Sequence, residues 1–209
     1  MMFVKICGIR TFEELRIVEK YADATGVVVK ANSKRRIPID TAKEIIREAK
    51  IPVFLVSTMT SYEEWAKVIE ETEAKYVQVH SDVSPEVIER LKSEYGVFIM
   101  KAFKVPTTSE EPEEYAERLI SKISEYDVDR VLLDTGAGTG RMHDLRISRI
   151  IARKIPIVIA GGLNPENVRR VIEFVRPFGV DVSSGVERNG RKDESLIREF
   201  VRRAKNVVR

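Results

Sequence analysis

The feature of this chain that most constrains its fold is an eightfold alternation of short β-branched runs with longer charged segments of helical spacing. The runs predict strands at 3–8, 25–29, 52–57, 76–80, 97–103, 130–134, 156–160 and 180–184. The segments between them predict helices near 12–21, 40–49, 61–72, 84–95, 112–125, 145–154, 165–175 and 193–206. Strands that alternate with helices pair in parallel. Eight such units in 209 residues predict a (β/α)8 barrel, the TIM barrel.

The main competing fold is a doubly wound open sheet, whose first strand is followed by a glycine-rich turn of the pattern GxGxxG. Here the first strand runs into CGIRTFEE, which lacks that pattern. No linker, low-complexity tract or change of composition divides the chain. The sequence therefore predicts a single domain over residues 1–209.

Composition and charge exclude several classes of protein. The 36 Lys and Arg residues nearly balance the 33 Asp and Glu residues, and these mixed signs indicate no nucleic-acid partner. The charged share of 33% exceeds the roughly 25% of typical soluble domains and predicts a thermostable protein. The single cysteine, Cys7, excludes an intrachain disulfide and a thiolate zinc site. Without a signal-peptide pattern or an apolar run of about 18 residues, we expect no membrane partner and a cytoplasmic location.

Polar side chains recur at alternate positions of several predicted strands. Because the outer face of a barrel strand meets the helices and is apolar, we expect the polar set to face the lumen. This set comprises Lys5, Cys7, Gln78, His80, Lys101, Asp134, Asp181 and Ser183. Either lysine could simply form an internal ion pair with Asp181. Active sites of such barrels lie at the carboxyl ends of the strands, which favours chemistry at Cys7, His80 and Asp134.

Cys7 and His80 each allow a purely structural interpretation. A buried cysteine is ordinarily an inert packing residue. Cys7 differs because it ends a strand, precedes Gly8 and has Lys5 two residues deeper, where a positive charge would favour the thiolate. His80 taken alone is as consistent with a hydrogen-bonded core histidine as with a ligand contact.

Glycine-rich loops follow the seventh and eighth strands. The first reads AGGLNPENV and contains Gly161 and Gly162, and the second reads SSGVERNGRKD and contains Ser184 and Gly185. Such loops bind phosphate through backbone N–H groups, and in these barrels the phosphate site often lies between the same two loops. A third glycine-rich segment, GAGTGR at 136–141, precedes no helix directly and is interpreted as a mobile lid.

Six segments along the chain, taken together, resemble the phosphoribosylanthranilate isomerase family of tryptophan biosynthesis. They are VKICGIR at 4–10, NSKRR at 32–36, YVQVHS at 76–81, LLDTGAGTG at 132–140, IAGGLNPENV at 159–168 and VDVSSGVERNGRKD at 180–193. The resemblance implies a (β/α)8 barrel and an Amadori rearrangement that needs no cofactor and no metal. It implies N-(5-phosphoribosyl)anthranilate as the phosphorylated substrate and 1-(2-carboxyphenylamino)-1-deoxyribulose 5-phosphate as the product.

The same resemblance implies roles for individual residues. Cys7 matches the general base, Asp134 the general acid, and Arg35 the arginine that contacts the anthranilate carboxylate. Arg36 is adjacent, so this last assignment is ambiguous by one residue. The other expected substrate contacts are His80, Gly161, Gly162, Asp181, Ser183, Ser184 and Gly185.

The chain departs from the family pattern at two places. Ser81 replaces a glycine after His80, and His143-Asp144-Leu145 follows the lid where the family has Phe-Asp-Trp. The second change bears on lid packing, and His143 is expected to face solvent or to pack. The loop at 104–114 receives no functional interpretation from the sequence.

Two other functions are weighed against the isomerase. A ribulose-phosphate epimerase on the same fold would need metal ligands, and the chain has only two histidines, far apart in the sequence. A catalytically silent phosphate-binding module would keep the glycine loops but would have no use for both Cys7 and Asp134. The isomerase is preferred, as a monomer or homodimer.

Overall fold

The computed structural model describes residues 1–136 and 141–207, and in these ranges eight parallel strands close into a barrel. The strands are β1 (Phe3–Cys7), β2 (Ala24–Val28), β3 (Val53–Ser57), β4 (Tyr76–Val79), β5 (Phe98–Lys104), β6 (Arg130–Asp134), β7 (Ile157–Ile159) and β8 (Gly179–Val182). Each strand pairs with its neighbours in sequence order, and β1 closes the ring by pairing with β8. The predicted (β/α)8 fold is confirmed.

A helix follows each barrel strand. The helices are α1 (Phe12–Glu19), α2 (Ile39–Glu48), α3 (Tyr62–Thr72), α4 (Pro85–Tyr95), α5 (Pro112–Ile123), α6 (Leu145–Ala152), α7 (Val168–Val175) and α8 (Glu194–Lys205). Between β8 and α8 lie a short 3-10 helix (Ser184–Val186) and an antiparallel hairpin of β9 (Glu187–Arg188) and β10 (Arg191–Lys192). Every predicted strand and helix is present, β6 with the predicted ends and the others with shifted ends, whereas the hairpin was not predicted.

Side-chain caps explain where several helices begin. Thr11 accepts a hydrogen bond from the Glu14 amide and Ser61 accepts one from the Glu64 amide, as expected for N-caps. Helix α7 begins at Val168, later than predicted. The Asn164 side chain instead accepts hydrogen bonds from the amides of Glu166 and Asn167 and forms a turn before the helix.

Apolar side chains form two separate layers. A large core fills the space between strands and helices, with Trp65 among its fully buried members. A smaller cluster fills the lumen and consists of Cys7, Ala24, Val28, Phe54, Val56, Met100, Leu132, Val158 and Ala160. No helix in the described ranges is long and apolar enough to cross a membrane.

The expectation that Lys101 faces the lumen is wrong. Met100 belongs to the lumen cluster, and Lys101 lies on the helix side of β5. Its Nζ donates to the Ser81 carbonyl at 2.9 Å and sits 4.7 and 5.0 Å from the ring centroids of Phe103 and Tyr126. From Phe98 to Phe103, strand β5 is apolar on both faces apart from Lys101, so its alternation could not identify the inner face. A lysine stem also packs well among apolar groups.

Candidate active site

The predicted site residues lie at the carboxyl ends of the strands. Cys7 and Asp134 are the last residues of β1 and β6, and His80 and Ser183 directly follow β4 and β8. Gly161 and Gly162 come two and three residues after β7. Because all eight strands are parallel, these ends meet at one mouth of the barrel.

Lys5 and Asp181 form a buried ion pair beneath this mouth. They are partners in the register of β1 with β8, and Lys5 Nζ lies 3.1 Å from both carboxylate oxygens. Burial lowers the pKa of Lys5, but the charges of Asp181 and Cys7 outweigh burial and raise it above its ordinary value. The structural interpretation of Lys5 as half of an internal ion pair is therefore confirmed.

Cys7 occupies space that a glycine on the neighbouring strand leaves open. A Cβ at Gly26 would lie 3.1 Å from Cys7 Sγ and 3.2 Å from Lys5 Nζ, so any side chain there would crowd both groups. Burial raises the pKa of the Cys7 thiol, and the charge of Lys5 opposes this only in part. The expectation that Lys5 would favour the thiolate is correct for the Lys5 charge and wrong for the net effect, because burial outweighs that charge and the charge of Asp181 also raises the pKa of Cys7.

Asp134 is partly buried and protonates near neutral pH. Its Oδ1 accepts a hydrogen bond from the Thr135 amide at 2.7 Å. Burial raises its pKa to about 6, and the nearby charge of Asp181 acts in the same direction. A Cβ at Gly161 would lie 2.6 Å from Asp134 Oδ1, and Gly161 has a φ of +88°, so glycine lets the β7 loop pass directly over the carboxyl group.

His80 is held in one neutral form. Its Nε2 lies 2.7 Å from Gln78 Nε2, and because an amide nitrogen can only donate, the His80 proton resides on Nδ1. Burial lowers the pKa of His80 to about 4, with the charges of Lys5 and Lys101 acting in the same direction. His80 is therefore an uncharged hydrogen-bond donor at the mouth.

Arg35 reaches the site from the loop between β2 and α2. Its Nε and Nη2 donate to the two carboxylate oxygens of Glu187 at 2.6 and 2.8 Å. Its side chain also packs against Gly8, where a Cβ would lie 2.4 Å from Arg35 Cδ. Arg36, by contrast, is exposed. Of the two adjacent arginines, Arg35 is the one beside Cys7.

Two charged residues of the site, Glu187 and Lys192, were not singled out from the sequence. Lys192 Nζ donates to Glu187 at 2.8 Å and to the carbonyl and hydroxyl of Ser183 at 3.1 and 3.3 Å. Both lie on the β9–β10 hairpin, and the signal that could have found it is Asn189-Gly190. Asn189 and Gly190 both have positive φ, which is typical of a two-residue hairpin turn.

The two predicted phosphate loops touch each other. A Cβ at Gly185 would lie 1.8 Å from the Leu163 carbonyl oxygen, so the loop after β8 packs directly on the loop after β7. Gly162 has a φ of +67°, which glycine adopts readily. Ser184 is exposed at the start of the 3-10 helix. Backbone amides of both loops thus border one side of the mouth.

The segment next to the predicted lid packs against the barrel. The lid at 136–141 lies mostly outside the described residues. His143 is buried, with Nε2 2.6 Å from Ser148 Oγ, which confirms the packing alternative and not the solvent-facing one. Asp144 donates its amide to the Pro106 carbonyl and accepts from the Ser109 amide, so the loop at 104–114 braces the start of α6.

Chemically, the mouth combines a carboxyl group that titrates near neutrality, a thiol, a neutral imidazole and a partly buried guanidinium. No group of three His, Cys, Asp or Glu side chains in the described ranges could hold a metal ion. Such a set can transfer protons to and from a ligand that carries a carboxylate and a phosphate.

Comparison with known proteins gives a consistent result. The family model described as N-(5'-phosphoribosyl)anthranilate (PRA) isomerase matches residues 4–203. The N-(5'-phosphoribosyl)anthranilate isomerase of Pyrococcus abyssi is 67% identical over 208 residues, covering 100% of both chains. The solved structure of the Pyrococcus furiosus enzyme superimposes with a TM-score of 0.95 at 63% identity, covering 99% of this chain and 100% of that one.

One related structure contains a ligand. It is a phosphoribosyl anthranilate isomerase in complex with reduced 1-(o-carboxyphenylamino)-1-deoxyribulose 5-phosphate. It is 33% identical, with a TM-score of 0.82, and the match covers 98% of this chain and 99% of the other.

Proposed function

The chain belongs to the N-(5'-phosphoribosyl)anthranilate isomerase family of tryptophan biosynthesis, and on that premise we propose that Cys7 is its general base and Asp134 its general acid. The substrate we assign is N-(5-phosphoribosyl)anthranilate, and the reaction is its Amadori rearrangement to the 1-deoxyribulose product. The observation that carries this proposal is the placement of Cys7 and Asp134, which end β1 and β6 at the same mouth of the closed barrel.

The first half of the reaction needs an acid. Protonation of the ribose ring oxygen lets the ring open, and the nitrogen lone pair forms an iminium ion at C1. Asp134 suits this step because a carboxyl group with a pKa of about 6 retains its proton in a useful fraction of molecules near neutral pH.

The second half needs a base. Cys7 removes the proton from C2, the C–H electrons form the C1–C2 double bond, and the iminium becomes a neutral enolamine. Because burial raises the pKa of Cys7, its thiolate is a stronger base once it forms. Lys5 and Lys192 both stabilise that anion electrostatically.

The two ends of the substrate are assigned to opposite sides of the mouth. Arg35 binds the anthranilate carboxylate, for which a planar guanidinium is well shaped. The amides of Gly161, Gly162, Ser184 and Gly185 bind the phosphate. Ser183 and the neutral His80 contribute hydrogen bonds between these ends. Asp181, held by Lys5, forms the floor of the site and not a phosphate contact.

Substitution of the two proton-transferring residues tests the proposal. Cys7→Ser and Asp134→Asn should each lower kcat by about 10² to 10⁴, the range of general acid–base contributions, while binding of the reduced product analogue persists. The matched control is Asp127→Asn, which alters an exposed aspartate paired with Lys92. If both variants kept kcat near that of the control, the assigned roles would be wrong.

Complementation separates the isomerase from its alternatives. Growth of a tryptophan auxotroph that lacks this isomerase requires the Amadori reaction, which neither an epimerase nor a binding module supplies. We expect growth with the wild-type chain and none with Asp134→Asn. Whether the enzyme is a monomer or a homodimer stays a prediction.

A further inference from the structure

The ion pair between Arg35 and Glu187 uses one edge of the guanidinium and leaves another open. Glu187 accepts from Nε and Nη2, at 2.6 and 2.8 Å, in a side-on arrangement. A guanidinium has five N–H donors, so three remain, and two of them form the edge between Nη1 and Nη2. No residue in the described ranges accepts from these three. The free edge is turned away from the carboxylate of Glu187 and can bind a second carboxylate in the same plane.

Packing adds to the fixed position of Arg35. The side chain lies directly against Gly8, and a Cβ at this position would meet Arg35 Cδ at 2.4 Å and Ser183 Oγ at 3.1 Å. Gly8 also has a φ of +79°, which side-chain-bearing residues rarely adopt. The aliphatic part of the Arg35 side chain therefore packs against Gly8, while its guanidinium pairs with Glu187 on the β9–β10 hairpin.

Glu187 is itself fixed by a second cation. Lys192, nearly fully buried, donates to Glu187 Oε1 at 2.8 Å and to the Ser183 carbonyl at 3.1 Å. Ser183 in turn donates its hydroxyl to the Cys7 carbonyl at 3.0 Å. Burial alone would raise the pKa of Glu187, but Arg35 and Lys192 bring it to about 2, so the carboxylate is ionised at working pH.

From this geometry we propose that Glu187 is a positioning residue, which holds Arg35 side-on so that the free edge of the guanidinium meets the carboxylate of the anthranilate ring. The inference rests on the proposed function, since it takes that carboxylate as the ligand of Arg35. It adds a residue that touches no substrate atom and acts only through Arg35.

The physical reason is preorganisation. A free arginine side chain loses rotamer entropy when it is immobilised. In this chain the loss occurs on folding, through Glu187 and Gly8, and not on substrate binding. The contribution of a preorganised Arg35 to binding affinity should therefore appear only for ligands that carry the ring carboxylate.

Two ligands that differ only in that carboxylate test the proposal. One is the reduced product analogue, and the other is the same compound made from aniline in place of anthranilate. We expect Glu187→Gln to weaken calorimetric binding of the first by about tenfold, the effect of losing one charge-assisted contact, and of the second by less than twofold. The matched control is Glu199→Gln on α8, since Glu199 likewise pairs with two arginines, Arg202 and Arg203, outside the site.

Two further variants protect the test against misfolding. Glu187→Gln leaves the buried ammonium of Lys192 without its carboxylate, so the double variant Glu187→Gln/Lys192→Met removes that charge as well. Arg35→Lys keeps the positive charge but removes the planar guanidinium, whose two donor edges bind Glu187 and the ligand carboxylate. Both should show the same selective loss for the carboxylate ligand.

The outcomes are distinct. An equal loss for both ligands, or no loss for either, overturns the proposal, because Glu187 would then act through general structure or not at all. Equal affinity of the wild-type protein for the two ligands also overturns it. Failure of the proposed function shows separately, as an absence of turnover of N-(5-phosphoribosyl)anthranilate by the wild-type protein.

Discussion

Burial acts on Asp134 and Cys7 in the same direction and with different chemical results. It raises the pKa of Asp134 to about 6, which places this acid close to neutral pH. It also raises the pKa of Cys7, which makes the thiolate scarcer and more basic. The difference follows from the ordinary pKa values of a carboxyl group and a thiol, which lie on opposite sides of neutrality.

Asp134 should leave a pH signature in protein stability. Its pKa is raised from 3.8 to about 6, so the native state binds the proton more tightly than the unfolded state. The resulting penalty is absent below pH 4, grows as pH rises from 4 to 6 and is complete above 6. Asp134→Asn should therefore stabilise the protein above pH 6, by at most about 3 kcal/mol, at about 1.4 kcal/mol per pKa unit.

Denaturant unfolding at a series of pH values measures this effect. Asp144 is the control of opposite sign, because hydrogen bonds from Arg146 hold its pKa below the usual range. The stability that Asp144 contributes is present at neutral pH and is lost in acid as the carboxylate protonates, and Asp144→Asn removes it. A pH-independent gain in Asp134→Asn would contradict the raised pKa.

At the scale of elements, the loops after β7 and β8 act as one unit. The 3-10 helix after β8 approaches the Leu163 carbonyl so closely that only glycine fits at position 185. The β9–β10 hairpin follows at once and carries Glu187 and Lys192 back to the mouth. The proposed phosphate site and the position of Arg35 thus depend on the same short stretch of chain.

Gly185→Ala should separate the two loops. Its Cβ would lie 1.8 Å from a backbone oxygen, and backbone cannot move aside as a flexible side chain can. We expect affinity for inorganic phosphate to fall by about tenfold or more, equivalent to 1.4 kcal/mol. Gly96→Ala is the matched control, since it also places alanine in a loop glycine, at a φ of +62° but with no atom within 4 Å.

Both glycine variants should lose some stability, so phosphate titration distinguishes them. Gly96→Ala carries only the strain of its positive φ, of the order of 1 kcal/mol, and should bind phosphate normally. Unchanged phosphate affinity in Gly185→Ala would show that the contact between the loops does not shape the phosphate site.

At the scale of the whole molecule, ion pairs join the ends of the chain. Lys5 and Asp181 link β1 to β8, across the seam where the barrel closes. On the surface, Lys20 pairs with Glu194 and links α1 to α8 across the same seam. The first pair is buried and the second is exposed, so burial decides how much each pair contributes to the free energy of unfolding.

Lys5→Met should destabilise the protein by about 3–5 kcal/mol, because it leaves the Asp181 carboxylate buried without a partner. Lys20→Met breaks a pair of similar sequence separation in solvent and should cost much less. Guanidinium chloride unfolding of both variants measures the difference. Comparable losses would mean that Asp181 is neutralised by its proton when Lys5 is removed.

The sequence by itself determined the barrel and the place of its site. The alternation of strand and helix patterns is local, and parallel pairing then brings Cys7, His80 and Asp134 to one mouth. The residue types at these strand ends predicted their chemistry, since a carboxyl group can donate a proton and a thiolate can accept one. These inferences succeed because periodicity, capping residues and strand ends are properties of neighbouring residues.

Tertiary structure alone decided the partners and the effective chemistry. The pairing of Arg35 with Glu187 joins residues from opposite ends of the chain, and no local pattern encodes such a contact. Lys101 faces the helices, and the sequence could not show this because both sides of β5 carry buried apolar residues. The raised pKa values of Cys7 and Asp134 depend on burial, which exists only once the barrel has closed.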